Sequence, residues 1–178
     1  AKIYGAKVHH RSDFASNDDA STEDALNDFL EYLGTQNIPE FLTYLQCTSP
    51  FIDSDEIVSG IDLIQKEEKI DTVFSAKKFH GFIWQNNTKD YSSSGLNHNH
   101  LEPRKRRQDL DYEHLVEDGS FYILRTDKYL KTLNRFGKNP YAFKSKVRPY
   151  SEIDDPEDLE ISNLLAPFFD GPSNNRIK

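Results

Sequence analysis

Apolar residues recur at three- and four-residue spacing at Ala25, Leu26, Phe29, Leu30 and Leu33, which places them on one face of a helix. Ser21, three places before Asp24, has the form of an N-cap with an acidic first turn, and Gly34 stands where that helix should stop. Phe41 to Cys47 is a short aromatic and aliphatic run whose length fits a buried strand, closed by Thr48-Ser49-Pro50. Asp53 with Glu56 repeats the capping pattern. Ile57, Val58, Ile61 and Ile64 supply the stripe of a second helix before a strand over Thr72 to Ala76. Strand, helix and strand in that order predict a parallel sheet with ligands at the carboxyl ends of its strands.

Elsewhere the pattern is shorter-ranged. Ala1 to Tyr4 with Gly5 reads as the last turn of a helix, followed by a short strand over Ala6 to His10. From Gln85 to Pro103 the chain turns polar, which predicts an excursion from the core. Ser120 to Leu124 reads as a strand, Thr126 as the cap of a short helix carrying Tyr129, Leu130 and Leu133, and Tyr141 to Lys146 as an outer strand. Asp155-Pro156-Glu157-Asp158 combines a cap, a proline at the first helical position and acids in the first turn. A last helix to about Phe168 follows, then a tail from Gly171.

With 178 residues and 36% hydrophobic content, the chain has material for one core, so a single domain over residues 1–170 is expected, with 171–178 as tail. The net charge of -8 disfavours nucleic acid and anionic membrane surfaces as partners. Cys47 is the only cysteine, which rules out an intramolecular disulfide and a zinc–cysteine site. No run approaches the roughly 20 apolar residues that span a bilayer. Methionine is absent altogether, and with an opening that reads as the end of a helix this suggests a fragment of a longer reading frame.

Four clusters sit where loops should leave the sheet. Gln46-Cys47-Thr48-Ser49-Pro50 offers an amide and hydroxyls that hydrogen-bond sugar hydroxyls without desolvating a charge, and reads equally as an ordinary strand-to-helix turn. Arg104-Lys105-Arg106-Arg107 puts four cations in succession, beside Gln108 and Asp109. Arginine's planar fork lets Arg107 with Gln108 hold a carboxylate, while a solvated loop or a nuclear-import signal explains the run as well. Glu152 and Asp154, two apart on an expected strand, offer two hard oxygen ligands to one Mg²⁺, with Asp155 left to cap the helix. A generic acidic helix start is the competing explanation. Arg11 with Ser21 and Thr22 brings a cation and hydroxyls to a helix start that welcomes phosphate. His9, His10, His98 and His100 show no ligand spacing and receive no role.

In order, Gly5-Ala6-Lys7-Val8 with Arg11, Ala20 to Leu26, Leu45 to Pro50, Asp71 to Ser75, Arg106 to Asp109, Glu117 to Tyr122 and Ile153 to Leu159 resemble the CMP-sialic acid synthetases, or acylneuraminate cytidylyltransferases. The resemblance spans roughly Ala1 to Phe168. It implies a Rossmann-like α/β fold, a mostly parallel sheet flanked by helices, with a protruding dimerisation segment at about residues 82–115. It also implies transfer of CMP from CTP to the anomeric hydroxyl of a sialic acid, with Mg²⁺ and release of pyrophosphate, in a homodimer or higher homo-oligomer. Gln46, Thr48 and Ser49 would contact the sugar, Arg107 its carboxylate, Arg11 with Ser21 or Thr22 the nucleotide, and Asp154 the metal. The family's first strand and phosphate-wrapping loop have no counterpart, Glu152 stands where Asp is usual, and Asp118 replaces Asn beside Gly119. A non-catalytic sugar-binding or dimeric module is therefore the alternative, and the basic run points to nucleus or cytoplasm.

Overall fold

The computed structural model describes residues 2–110, 113–146 and 152–169, apart from the side chain of Arg107. Helix α1 (Thr22–Leu33) starts where the sequence says it should. Ser21 Oγ accepts from Asp24 N–H while the Asp24 carboxylate accepts from Ser21 N–H, and Leu26 and Leu30 are buried. Strand β1 (Phe41–Leu45) leads into α2 (Ser54–Lys66), capped by Asp53, and then β2 (Thr72–Phe79). The expected reciprocal box at α2 does not form. Asp53 accepts from Asp55 N–H, and Glu56 is buried and instead accepts from Lys146 N–H at 2.7 Å.

A two-stranded hairpin, β3 (Trp84–Asn87) and β4 (Ser92–Gly95), forms the expected polar excursion and pairs only with itself. The chain returns in β5 (His114–Arg125), α3 (Thr126–Thr132) and β6 (Pro140–Lys144), and closes with α4 (Pro156–Leu165) and a 3₁₀ turn, Ala166–Phe168. The main sheet has the order β1-β5-β2-β6. β2 and β6 are parallel, and β5 runs antiparallel between β1 and β2, so three strands share one direction around one reversed strand. The reversal follows from the path. β2 exits at the carboxyl edge, residues 80–113 bring the chain back to that edge, and β5 has to run the other way. The sheet thus carries the mixed α/β, Rossmann-like arrangement, with helices against both faces.

Alternation along β5 divides the core. Tyr122 and Leu124 pack with Leu26, Leu30, Leu42 and Tyr129, while Phe121 and Ile123 pack with Ile64, Ile70 and Val73. Gly60 lets α2 approach the sheet, since a Cβ there would lie 2.7 Å from Ile123 Cδ1.

Two further expectations about the elements fail. Residues Ala6 to His10 form no strand, because His9 turns its ring onto α1: Nε2 lies 2.6 Å from Asp28 Oδ2, and the ring centroid 4.4 Å from that of Tyr32. Thr126 is not a cap but the first residue of α3, with Arg125 flanking it, and its buried hydroxyl has no partner among the described residues. The expected tail from Gly171 lies outside the described residues. Among the described residues, no helix is long and apolar enough to cross a membrane.

Candidate functional site

Gln46, Thr48 and Ser49 leave the carboxyl end of β1 and meet the early half of β5 and the segment before α4. Ile153 N–H donates to Thr48 O at 2.9 Å, which lays Glu152 beside Gln46. Gln46 Nε2 then donates to Glu152 Oε1 at 2.9 Å, and Gln46 Oε1 faces the Tyr122 hydroxyl at 3.2 Å. The amide is therefore held by its nitrogen against a carboxylate, while its oxygen lies against a hydroxyl whose single proton points to the closer Glu117 carboxylate. Tyr122 donates a hydrogen bond to Glu117, and its burial, reinforced by that carboxylate, drives its pKa far above the ordinary range, so its proton stays.

The floor of the site is a break in the β2–β5 ladder. Phe74 lies opposite Tyr122 but Ala76 opposite Glu117, so Asp118 to Phe121 face Ser75 alone. Gly119 takes the left-handed φ of 67° there, and a Cβ on it would sit 3.0 Å from Glu152 Oε1 and 3.2 Å from both Gln46 Oε1 and Ser49 Oγ. Asp118 is buried and holds the break together. Its carboxylate accepts from Ser75 Oγ, from Ser120 N–H at 3.1 Å and from Ser145 Oγ at 3.1 Å, with Lys77 Nζ 3.9 Å away. Ser49 Oγ donates to Asp118 O at 3.3 Å. The residue that departs from the resembled pattern is thus itself the organiser of the turn.

Glu152 and Asp154 do not stand on a strand of the sheet. Burial raises the Glu152 carboxyl above the ordinary range, and the negative charge of Asp154 adds to it. Asp154 is exposed, and its N–H donates to Asp158 Oδ2 at 3.1 Å, next to the Asp155–Asp158 capping box. Among the described residues, no group of three or more His, Cys, Asp or Glu side chains is arranged to hold a metal ion.

The other sequence candidates make local contacts of their own or stand exposed. Ser21 Oγ spends its hydrogen bonds on Asp24, whose carboxyl is lowered by that pairing, so part of the anion-welcoming end of α1 is taken by its own acid. Thr22 is half-buried in the first turn, and Arg11 is exposed. In the basic run, the Arg104 guanidinium covers the Phe82 ring at 4.1 Å, Arg106 Nε pairs with Asp109 at 2.8 Å, and Gln108 is exposed. Arg107 belongs to a short 3₁₀ turn, and its side chain lies outside the description. Sequence reasoning missed Tyr122, Glu117, Ser75 and Arg135 as contributors, since only their long-range partners mark them.

No family model matches the chain. It is 32% identical over 164 residues, 90% of its length, to N-acylneuraminate cytidylyltransferase A of Danio rerio. It is 35% identical over 125 residues to the N-acylneuraminate cytidylyltransferase of Oncorhynchus mykiss, which takes in 69% of this chain. This chain is a relative of the N-acylneuraminate cytidylyltransferases. Likeness extends to the protein of that name in Escherichia coli, at 28% identity over 91% of the chain. The chain spans about a third of the length of these relatives, between 28% and 38%. The likeness over most of the chain agrees with the resemblance drawn from the motifs.

Proposed function

We propose that this chain carries the sugar-acid side of a cytidylyltransferase that moves CMP from CTP to the anomeric hydroxyl of a sialic acid, releasing pyrophosphate. The observation that carries the reading is the Gln46 amide, fixed through its nitrogen on Glu152 and packed against the Tyr122 hydroxyl, at the carboxyl edge of the sheet. A neutral group fixed in this way reads sugar hydroxyls without the desolvation cost of a charge. Ser49 and Thr48 stand on the same turn, and Arg107 with Gln108 remain the candidates for the sugar carboxylate. Arg11, Ser21 and Thr22 remain the candidates for the nucleotide.

In the reaction the anomeric oxygen bonds to the α-phosphorus of CTP, the bond to pyrophosphate breaks, and the hydroxyl proton is lost. Catalysis of that kind rests on positioning and on countering charge. The donor chemistry of Glu152 and Asp154 fits Mg²⁺. Both are hard carboxylate oxygens, burial and then the charge of Asp154 raise the Glu152 carboxyl, and magnesium takes few protein ligands and keeps its waters. The ion, when bound, supplies positive charge to the phosphoryl oxygens. The exposed β3–β4 hairpin supports a homodimer in which residues 82–115 reach a second copy.

Calorimetric titration with CTP and Mg²⁺ tests the reading. Saturable, metal-dependent binding that Asp154→Ala abolishes supports it, and absence of binding at millimolar CTP makes the chain an incomplete or non-catalytic member.

A further inference from the structure

Arg135 is a mostly buried cation with little of its hydrogen-bonding capacity used. Its side chain is 24% exposed, and its Nε is buried without a partner among the described residues. The nearest carboxylate, Glu23, stays 3.7 Å from Nη1 and accepts instead from the backbone N–H of Arg135 at 3.3 Å. A guanidinium carries five N–H donors, and a desolvated one is unfavourable until something meets them. Nor does the group hang loose. Its central carbon lies 5.1 Å from the Tyr122 ring centroid and 5.4 Å from that of Phe136, and Thr72 Oγ1 anchors the Arg135 carbonyl at 2.7 Å. The ring beneath it ends in the hydroxyl that lies 3.2 Å from Gln46 Oε1. On the other side Glu23 belongs to the first turn of α1, beside Thr22.

We infer that Arg135 binds an oxyanion of the ligand seated on Gln46, donating its fork to a carboxylate or phosphate oxygen. The charge, planarity and aromatic seating match either anion. Only the choice between the sugar's carboxylate and the nucleotide's phosphate rests on the proposed function. The anion site itself stands on the outer Nη donors of the partly exposed guanidinium, which make no hydrogen bond among the described residues, since the buried Nε is out of a ligand's reach. Nothing in the first-turn capping box of α1 competes for the guanidinium, because the Asp24 carboxylate is engaged by Ser21.

The test follows the Arg135 Nε–H resonance by NMR in the full chain while inorganic phosphate, CMP and sialic acid are added separately. A saturable shift with CMP assigns the phosphate, and one with sialic acid assigns the carboxylate. Arg135→Gln should abolish the shift and weaken binding about tenfold, because the fork that meets the anion is removed. Arg135→Lys, which keeps charge without the fork, should restore only part of the affinity. Perturbation of the Gln46 amide by CMP or sialic acid with Arg135 unmoved overturns the inference and leaves the function standing. A shift with phosphate alone keeps the anion site and sinks the cytidylyltransferase reading. No perturbation by any of the three overturns both, and a lower melting temperature in Arg135→Gln with unchanged binding makes the residue purely structural.

Discussion

Gln46 Nε2 donates to Glu152 Oε1 across 2.9 Å, although 106 positions separate the two residues in the chain. The contact closes the site by joining the end of β1 to the segment before α4, and Gly119 leaves the room in which it forms.

Tyr122→Phe removes the hydroxyl that donates to the Glu117 carboxylate and against which the Gln46 amide oxygen rests. A cost of about 1–3 kcal/mol in stability is expected from the unmet groups, and weaker sugar-acid binding from the freed amide. Denaturant unfolding and calorimetry on the same variant measure the two effects separately. Full affinity in Tyr122→Phe would show that Gln46 needs no such support.

Gly119→Ala adds a Cβ at a left-handed φ of 67°, crowding Glu152, Gln46 and Ser49 at once. The backbone conformation alone costs about 1–2 kcal/mol. The variant should unfold at lower denaturant and lose ligand affinity, and a wild-type midpoint would mean that the turn accommodates a side chain.

Asp28 holds the Ala6–His10 region to α1. Its carboxyl is lowered to about 2 by hydrogen bonds from Ser12 and then His9. A lowered acid stabilises the fold above its unfolded pKa of about 3.9, and that stability is lost as pH falls toward the folded value. Asp28→Asn should therefore be less stable than the parent at neutral pH, with the difference closing in strong acid. Urea unfolding across that range measures it, and a difference independent of pH would contradict the pairing.

Gly60→Val tests the packing of α2 on the sheet. With a Cβ already 2.7 Å from Ile123 Cδ1, overpacking should cost about 1–3 kcal/mol, read from the shift in the unfolding midpoint. No shift would mean that the helix can back away freely.

What was legible in the sequence was local. The caps of α1 and α4 lie within four residues of their partners, Ser21 with Asp24 and Asp155 with Asp158, and the apolar stripe of α1 marks its buried face. The direction of β5 was hidden because it depends on where residues 80–113 return the chain. Glu56 looked like a capping acid because its partner, Lys146 N–H, lies 90 positions away. Alternation over Ala6 to His10 resembled a strand, but His9 finds a carboxylate on α1 instead of a ladder. In the site, Gln46 and Glu152 were legible as residue types, whereas Tyr122, Asp118 and Arg135 owe their roles to contacts across the sheet.

Product formation tests the central claim most directly. The protein is incubated with CTP, Mg²⁺ and sialic acid, and pyrophosphate and the CMP-sugar are measured together. The account predicts equal amounts of both, lost in Gln46→Ala, and a protein that binds CTP and sialic acid yet forms neither product would contradict it.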